Sequence, residues 1–270
     1  MIEFKNVKLD YEDVSVFSNL NFKIKESEFI TVLGLNGSGK TSLFKLMNGL
    51  LLPTAGEVLV DGMNTKDEQK IWEIRRDVGV VFQNPENQIV GTTVEEDVAF
   101  GLENLGVPRA EMIKKIEEVL KFVGLYDLKN VEPHRLSGGQ KQLLCVADIL
   151  VMGPKYIVMD EPTSMMDPVS REVIFEILSK LHQNGHTIIF STHLLDEIVN
   201  AERILYLKNG NLLFDGKTVD VINEIKDDFG SSELIDFEIK LYRSGVIKEF
   251  MSISKLERRL IEYCQSNLKR

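Results

Sequence analysis

Cysteine is scarce in this chain: Cys145 and Cys264 are the only two among 270 residues, and they stand far apart. That is too few for a disulfide framework or a zinc site, so a reducing compartment, the cytosol, is expected. Long apolar runs are missing as well. None approaches the ~18 residues that a membrane span needs, and Met1-Ile2-Glu3-Phe4-Lys5 lacks the charged-then-apolar order of a signal peptide. Any membrane role therefore has to come from docking onto another protein's helices. Basic residues are outnumbered, 32 against 42 acidic, and the net charge of -10 argues against non-specific binding of nucleic acid. Internal repeats and low-complexity tracts are absent too, which leaves an ordinary globular chain with 43% hydrophobic residues and room for a sizeable core.

What is present reads as an α/β protein. Alternation in Ile2-Phe4, Val14-Val16 and Leu20-Phe22-Ile24 predicts an N-terminal antiparallel β subdomain leading into the core. Phe29-Ile30-Thr31-Val32-Leu33, Val78 to Phe82, Tyr156 to Met159 and Thr187 to Phe190 are continuous apolar runs, as expected of parallel strands covered on both faces. Between the second and third runs, Met112, Ile113, Ile116, Val119, Leu120 and Val123 recur at helical spacing, and a further helix is predicted from Ser137 to Val151. A helical subdomain of about residues 92–150 is thus inserted into the sheet order.

Charge marks the tail: Val221 to Arg270 holds nine acidic and nine basic side chains, so the negative surplus lies upstream. A boundary is expected near 225/226, giving a main domain 1–225 and a helical extension 226–270. Ser254-Lys255-Leu256-Glu257 has the form of a capping box, followed by Leu256, Leu260, Ile261, Cys264 and Leu268 on one face.

Two segments carry the chemistry. Gly34-Leu35-Asn36-Gly37-Ser38-Gly39-Lys40-Thr41, with Ser42 behind it, lies between an apolar strand and a helix. Glycines there let backbone N–H groups turn inward around phosphate oxygens, at the positive end of the following helix. Lys40 would neutralise phosphate charge and Thr41 would offer its hydroxyl to Mg2+. Asp160 and Glu161 end an apolar strand, where α/β proteins bind ligands. Taken alone these acids could equally open a helix. Beside a phosphate loop they read as a Mg2+ holder and a carboxylate able to polarise an attacking water.

The second segment, Leu136-Ser137-Gly138-Gly139-Gln140, is the rarer string. It puts a serine and two glycine amides at a helix start, a second anion site. Together the motifs resemble the nucleotide-binding subunits of ABC ATPases over nearly all of residues 1 to 220. The resemblance implies a P-loop NTPase (RecA-like) core and ATP with Mg2+ as ligands. It also implies a head-to-tail pair of cassettes in which the phosphate loop of one protomer meets Ser137, Gly138, Gly139 and Gln140 of the other. By the same resemblance Tyr11 stacks on adenine, where a plain strand tyrosine is the alternative. Gln83 contacts Mg2+ and the attacking water, and the loop after it meets a membrane subunit. His193 is the switch histidine, although an isolated histidine is also a common structural residue. Asp167 lies in the loop that reaches across the pair. Departures from the family pattern are Leu143 and Asp148 at commonly basic positions, Met165-Met166 for a small residue plus leucine, and Ser27 for a turn glycine.

Asn84-Pro85-Glu86-Asn87-Gln88 and Thr93-Val94-Glu95-Glu96-Asp97-Val98 look especially like the ATPases of energy-coupling-factor importers, including cobalt and nickel uptake systems. Glu95-Glu96-Asp97 also suits any acidic first helical turn. The expected protein is a peripheral ATPase at the cytoplasmic face of the membrane, working with a second copy or close paralogue and a transmembrane subunit. The alternatives are another class of ABC transporter ATPase, a soluble ABC protein acting on chromosomes or ribosomes, and a kinase on the same loop. The second lacks the long coiled coils or doubled cassettes it usually shows, and the third leaves Leu136 to Gln140 without a purpose.

Overall fold

In the computed structural model the described residues are 1–267 other than Asp13, Met165, Ser231, Glu249 and Ser252. The chain opens with β1 (Ile2–Tyr11) and β2 (Val14–Ile24), an antiparallel pair whose alternation buries Ile2, Phe4, Val7 and Leu9 against Phe17, Leu20, Phe22 and Ile24. Phe4 and Phe22 are directly opposed in the register, and their rings stack with centroids 4.5 Å apart. β3 (Phe29–Leu33) leaves this sheet for another, because it is buried along its whole length and needs cover on both faces. After the glycine loop comes α1 (Lys40–Met47), and then β4 (Ala55–Val60) and β5 (Met63–Asn64) complete the first sheet in the order β2-β1-β4-β5.

The second sheet is built from parallel crossovers. α2 (Ile71–Asp77) leads into β6 (Val78–Val81), and the inserted helices α3 (Val94–Asn104), α4 (Arg109–Val123) and α5 (Gly138–Leu150) follow. The chain returns as β7 (Tyr156–Met159), crosses by α6 (Pro168–Gln183) to β8 (Thr187–Thr192), and ends the sheet with β9 (Arg203–Lys208) and the antiparallel edge strand β10 (Asn211–Lys217). Strand order is β10-β9-β3-β8-β7-β6. The C-terminal ends of β3, β8, β7 and β6 therefore lie side by side, which brings four separate loops to one edge.

Packing follows the sequence pattern. Leu43, Phe44, Leu46 and Met47 of α1 are buried between the two sheets, with Val58, Val60, Ile30 and Val32. Val98, Leu102, Ile116, Leu120 and Leu144 of the insertion share a cluster with Ile157 and Met159 of β7. Ser27, at the expected glycine position, adopts φ 57, and its hydroxyl donates to Gly185 O at 3.1 Å.

The tail is helical, as α7 (Thr218–Phe229), α8 (Glu233–Arg243) and α9 (Ile253–Asn267). α9 begins at Ile253, and the side chain of Ser254, the expected cap, lies outside the described residues. Leu256 is buried and Leu260 partly so, whereas Ile261 and Cys264 on the same expected stripe are exposed, and Leu268 lies outside the described residues. α7 also runs across the 225/226 position where the division between units was expected. Its Val221, Ile222 and Ile225 pack with Ile235, Ile247, Phe250 and Leu256 of the tail and with Leu33 and Ile204 of the sheet.

Candidate functional site: a phosphate cradle at the edge of the parallel sheet

The loop after β3 curls back on itself. Gly37 and Gly39 have φ of 79° and 105°, in the region that side chains avoid, and a Cβ on Gly39 would stand 2.7 Å from the Phe17 ring. Gly34 has no room for a side chain either, with Ser38 Oγ 2.4 Å and Leu207 O 2.7 Å from where its Cβ would be. These constraints shape the loop around a cavity of about 410 Å3 lined by Asn36, Gly37, Lys40, Thr41, Gln83 and Glu161 among others. Ser38 Oγ, in the same loop, is buried without a hydrogen-bond partner.

Lys40 is only 6% exposed, and its ammonium donates to Gly34 O at 2.7 Å and Leu35 O at 3.2 Å. Glu161 Oε1 lies 3.1 Å from the same nitrogen. The other oxygen of Glu161 accepts from Gln83 Nε2 at 3.0 Å, and His193 Nδ1 stands 3.2 Å from it. Glu161 itself has φ 45°, uncommon for a non-glycine residue and held in place by the bond from its N–H to Ser191 Oγ at 2.9 Å. The same hydroxyl donates to Asp160 Oδ1 at 2.6 Å. Asp160 Oδ2 accepts from the Thr41 hydroxyl. Tyr11, at the rim and 43% exposed, has its hydroxyl 3.4 Å from Ser42 Oγ.

Residues of the phosphate loop, Asp160, Glu161, Gln83 and His193 are thus gathered into one site. The residues from 137 to 140 are not. Ser137 caps α5, accepting from Gln140 N at 3.2 Å while its own N–H donates to Gln140 Oε1 at 2.9 Å, and none of the four lines the cavity over the phosphate loop. Ser137 and Gly138 are exposed at the positive end of α5. Asp167 caps α6 through bonds from Val169 N and Ser170 N, and the Ser170 hydroxyl beside it lowers its pKa. Gln83 begins the segment joining the sheet to the insertion. There Gln88 Oε1 accepts from Phe82 N at 2.7 Å and Lys141 of α5 pairs with Glu86.

Sequence reading missed Ser191, which ties Asp160 to Glu161. The available signal was a polar pair, Ser191-Thr192, ending an otherwise apolar strand.

Residues 17–164, more than half of the chain, match the family model described as ABC transporter. An energy-coupling factor transporter ATP-binding protein EcfA1 of Clostridium novyi (strain NT) is 47% identical over 231 residues, covering 83% of this chain and 82% of that protein. A cobalt import ATP-binding protein CbiO of Syntrophus aciditrophicus (strain SB) is 43% identical over 226 residues, covering 83% and 81%. Among solved structures, cbiO1 from Clostridium perfringens, described as part of the ABC transporter complex cbiONQ, superposes with a TM-score of 0.79 at 32% identity, over 90% of this chain and 96% of that one. The ATP-binding cassette MJ0796, solved as a dimer bound to ADP and Pi, gives 0.72 at 34% identity over 80% and 98%. This chain belongs to the ABC transporter family, and it is one of that family's ATPases.

Proposed function

We propose that this chain is the ATP-hydrolysing subunit of an energy-coupling-factor type importer for a cobalt or nickel ion or a vitamin, acting at the cytoplasmic face of the membrane. The observation that carries this reading is the division of the anion sites. None of Ser137, Gly138, Gly139 and Gln140 lines the cavity beside Lys40, and in this reading a nucleotide reaches both anion sites between two protomers. The relatives' names support the importer class.

In this reading the loop amides from Gly34 to Thr41 and the Lys40 ammonium grip the β- and γ-phosphates, while the Tyr11 ring covers adenine. The residues present suit Mg2+: the Thr41 hydroxyl and the Asp160 carboxylate are hard oxygen donors held together, and Thr41 and Gln83 both line the cradle. When bound, the ion neutralises phosphate charge and orients the oxygens around phosphorus. Glu161 accepts the proton of the attacking water as its oxygen meets phosphorus, with Gln83 and His193 holding both in line. The opposing Ser137, Gly138, Gly139 and Gln140 close over the γ-phosphate from the far side, and Asp167 lies along the contact. Binding draws the cassettes together and hydrolysis releases them.

That movement needs an outlet. Among the described residues no helix is long and apolar enough to cross a membrane, so the stroke is delivered to a partner. The segment after Gln83 presents Val90 at 63% exposure and is tied to both the catalytic edge and α5. It is the proposed contact with the transmembrane subunit. Purification of the tagged chain from detergent-solubilised membranes tests this reading: a multi-span protein and a second cassette are expected with it. Recovery with ribosomes or nucleic acid instead would overturn it.

A further inference from the structure

One buried carboxylate is left unused by this mechanism. Glu197 is 5% exposed and lies in the short 3-10 turn Leu195–Asn200 that follows β8. Its Oε1 accepts from the Thr163 hydroxyl at 2.5 Å and its Oε2 from the Thr192 hydroxyl at 2.6 Å. Thr163 and Thr192 are themselves 1% and 2% exposed. Thr163 stands two residues after Glu161, and Thr192 immediately precedes His193. A second bond, Leu194 N to Thr192 Oγ1 at 3.0 Å, fixes the chain on the other side of the histidine.

We propose that Glu197 is a positioning residue for ATP hydrolysis: by bridging Thr163 to Thr192 it sets the distance and angle between Glu161 and His193 without touching the nucleotide. The inference rests on the ATPase reading above. Three features make the bridge specific. Both threonine hydroxyls donate to it, so the group between them must accept twice, which a carboxylate does and an amide does with only one atom. Burial raises the Glu197 pKa above its ordinary 4.5, and the two hydroxyl bonds, with Arg171 and His193 nearby, offset part of that rise. The turn is also backed from outside, since Leu195, Ile198 and Val199 sit in the apolar cluster with Val221, Ile222, Ile225 and Ile235. The carboxylate therefore has a fixed support on one side and two catalytic segments on the other.

A displacement of about 1 Å between catalytic groups costs up to ~10²-fold in rate. Glu197→Ala is accordingly expected to lower kcat ~10- to 100-fold while KM and the Kd for ATP change less than about threefold. Glu197→Gln, of equal size, should fall between Glu197→Ala and wild type. Thr163→Val should resemble Glu197→Gln, and Thr163→Ser, which keeps the hydroxyl, should recover most of the rate. Because Glu197 acts through Glu161, adding Glu197→Ala to Glu161→Gln should slow turnover little beyond Glu161→Gln alone.

Wild-type kcat in both Glu197 variants would overturn the inference. So would parallel loss of kcat and ATP affinity in Glu197→Gln, the mark of a merely structural role, or full additivity with Glu161→Gln. The role of Glu161 fails differently: a Glu161→Gln variant turning over at the wild-type rate removes it as the base, and a wild-type protein that does not hydrolyse Mg-ATP removes the ATPase reading, whatever the Glu197 variants do.

Discussion

Lys40 and Glu161 face each other 3.1 Å apart at the floor of the phosphate cradle, their side chains 6% and 9% exposed. Each compensates a charge that would otherwise be buried alone. A triphosphate entering the cradle must draw Lys40 toward itself and stand close to a carboxylate of its own sign.

Glu161→Gln should therefore do two opposite things. Losing the general base slows ATP turnover by ~10²-fold or more. Losing the competing negative charge tightens ATP binding several-fold, because Lys40 is freed and a like-charge contact disappears. Steady-state hydrolysis and titration with a fluorescent ATP analogue check the pair. Weaker binding in the variant would show that Glu161 helps to hold the nucleotide.

Asp148, at a commonly basic position of α5, has its Oδ1 buried beside the carboxyl of Asp97, whose Oδ2 is buried likewise. Asp97 Oδ1 already accepts from Val90 N and Gly91 N at 2.7 Å each. Burial first, and then the charge of Asp97, push the Asp148 pKa well above its ordinary 3.8. The folded chain thus keeps a proton that the unfolded chain releases above that value, so this carboxyl makes stability fall as pH rises from about 3.8 through the raised pKa. Asp148→Asn should raise Tm at pH 7 by about 3–5 °C, with the gain vanishing near pH 4. Thermal unfolding across that range checks it, and identical pH profiles for the two proteins would contradict it.

Glu238 presents the same sign in the tail. It is fully buried in α8, its Oε1 accepts from Met251 N at 2.9 Å, and its Oε2 has no partner. Burial, opposed by the Met251 bond and aided by Asp196, raises its pKa from 4.5 to about 7. Stability is lost as pH climbs between those two values, by roughly 3 kcal/mol once the group ionises above pH 7. Glu238→Gln, which can still accept from Met251 N, should remove this slope and be the more stable protein at pH 8. Urea unfolding at pH 5 and pH 8 measures the difference.

Much of this was legible because local constraints spell it out. Gly37 and Gly39 are glycines because φ is positive there, and β3, β6 and β7 read as buried strands because every residue in them is buried. The capped start of α5 could be read for the same reason, since Ser137 and Gln140 interact within one turn. Glu197 was illegible: in Leu194-Leu195-Asp196-Glu197 it looks like an acidic surface turn. Its burial depends on β8 lying between β3 and β7, which only the assembled sheet decides.

The central claim is that two protomers share each nucleotide, and it is tested most directly by mass. Light scattering should find the Glu161→Gln protein monomeric without nucleotide and doubled in mass with Mg-ATP, either alone or mixed with the cassette that co-purifies with it. Adding Ser137→Ala should weaken that association. A protein that binds Mg-ATP yet stays monomeric in both settings would contradict the account.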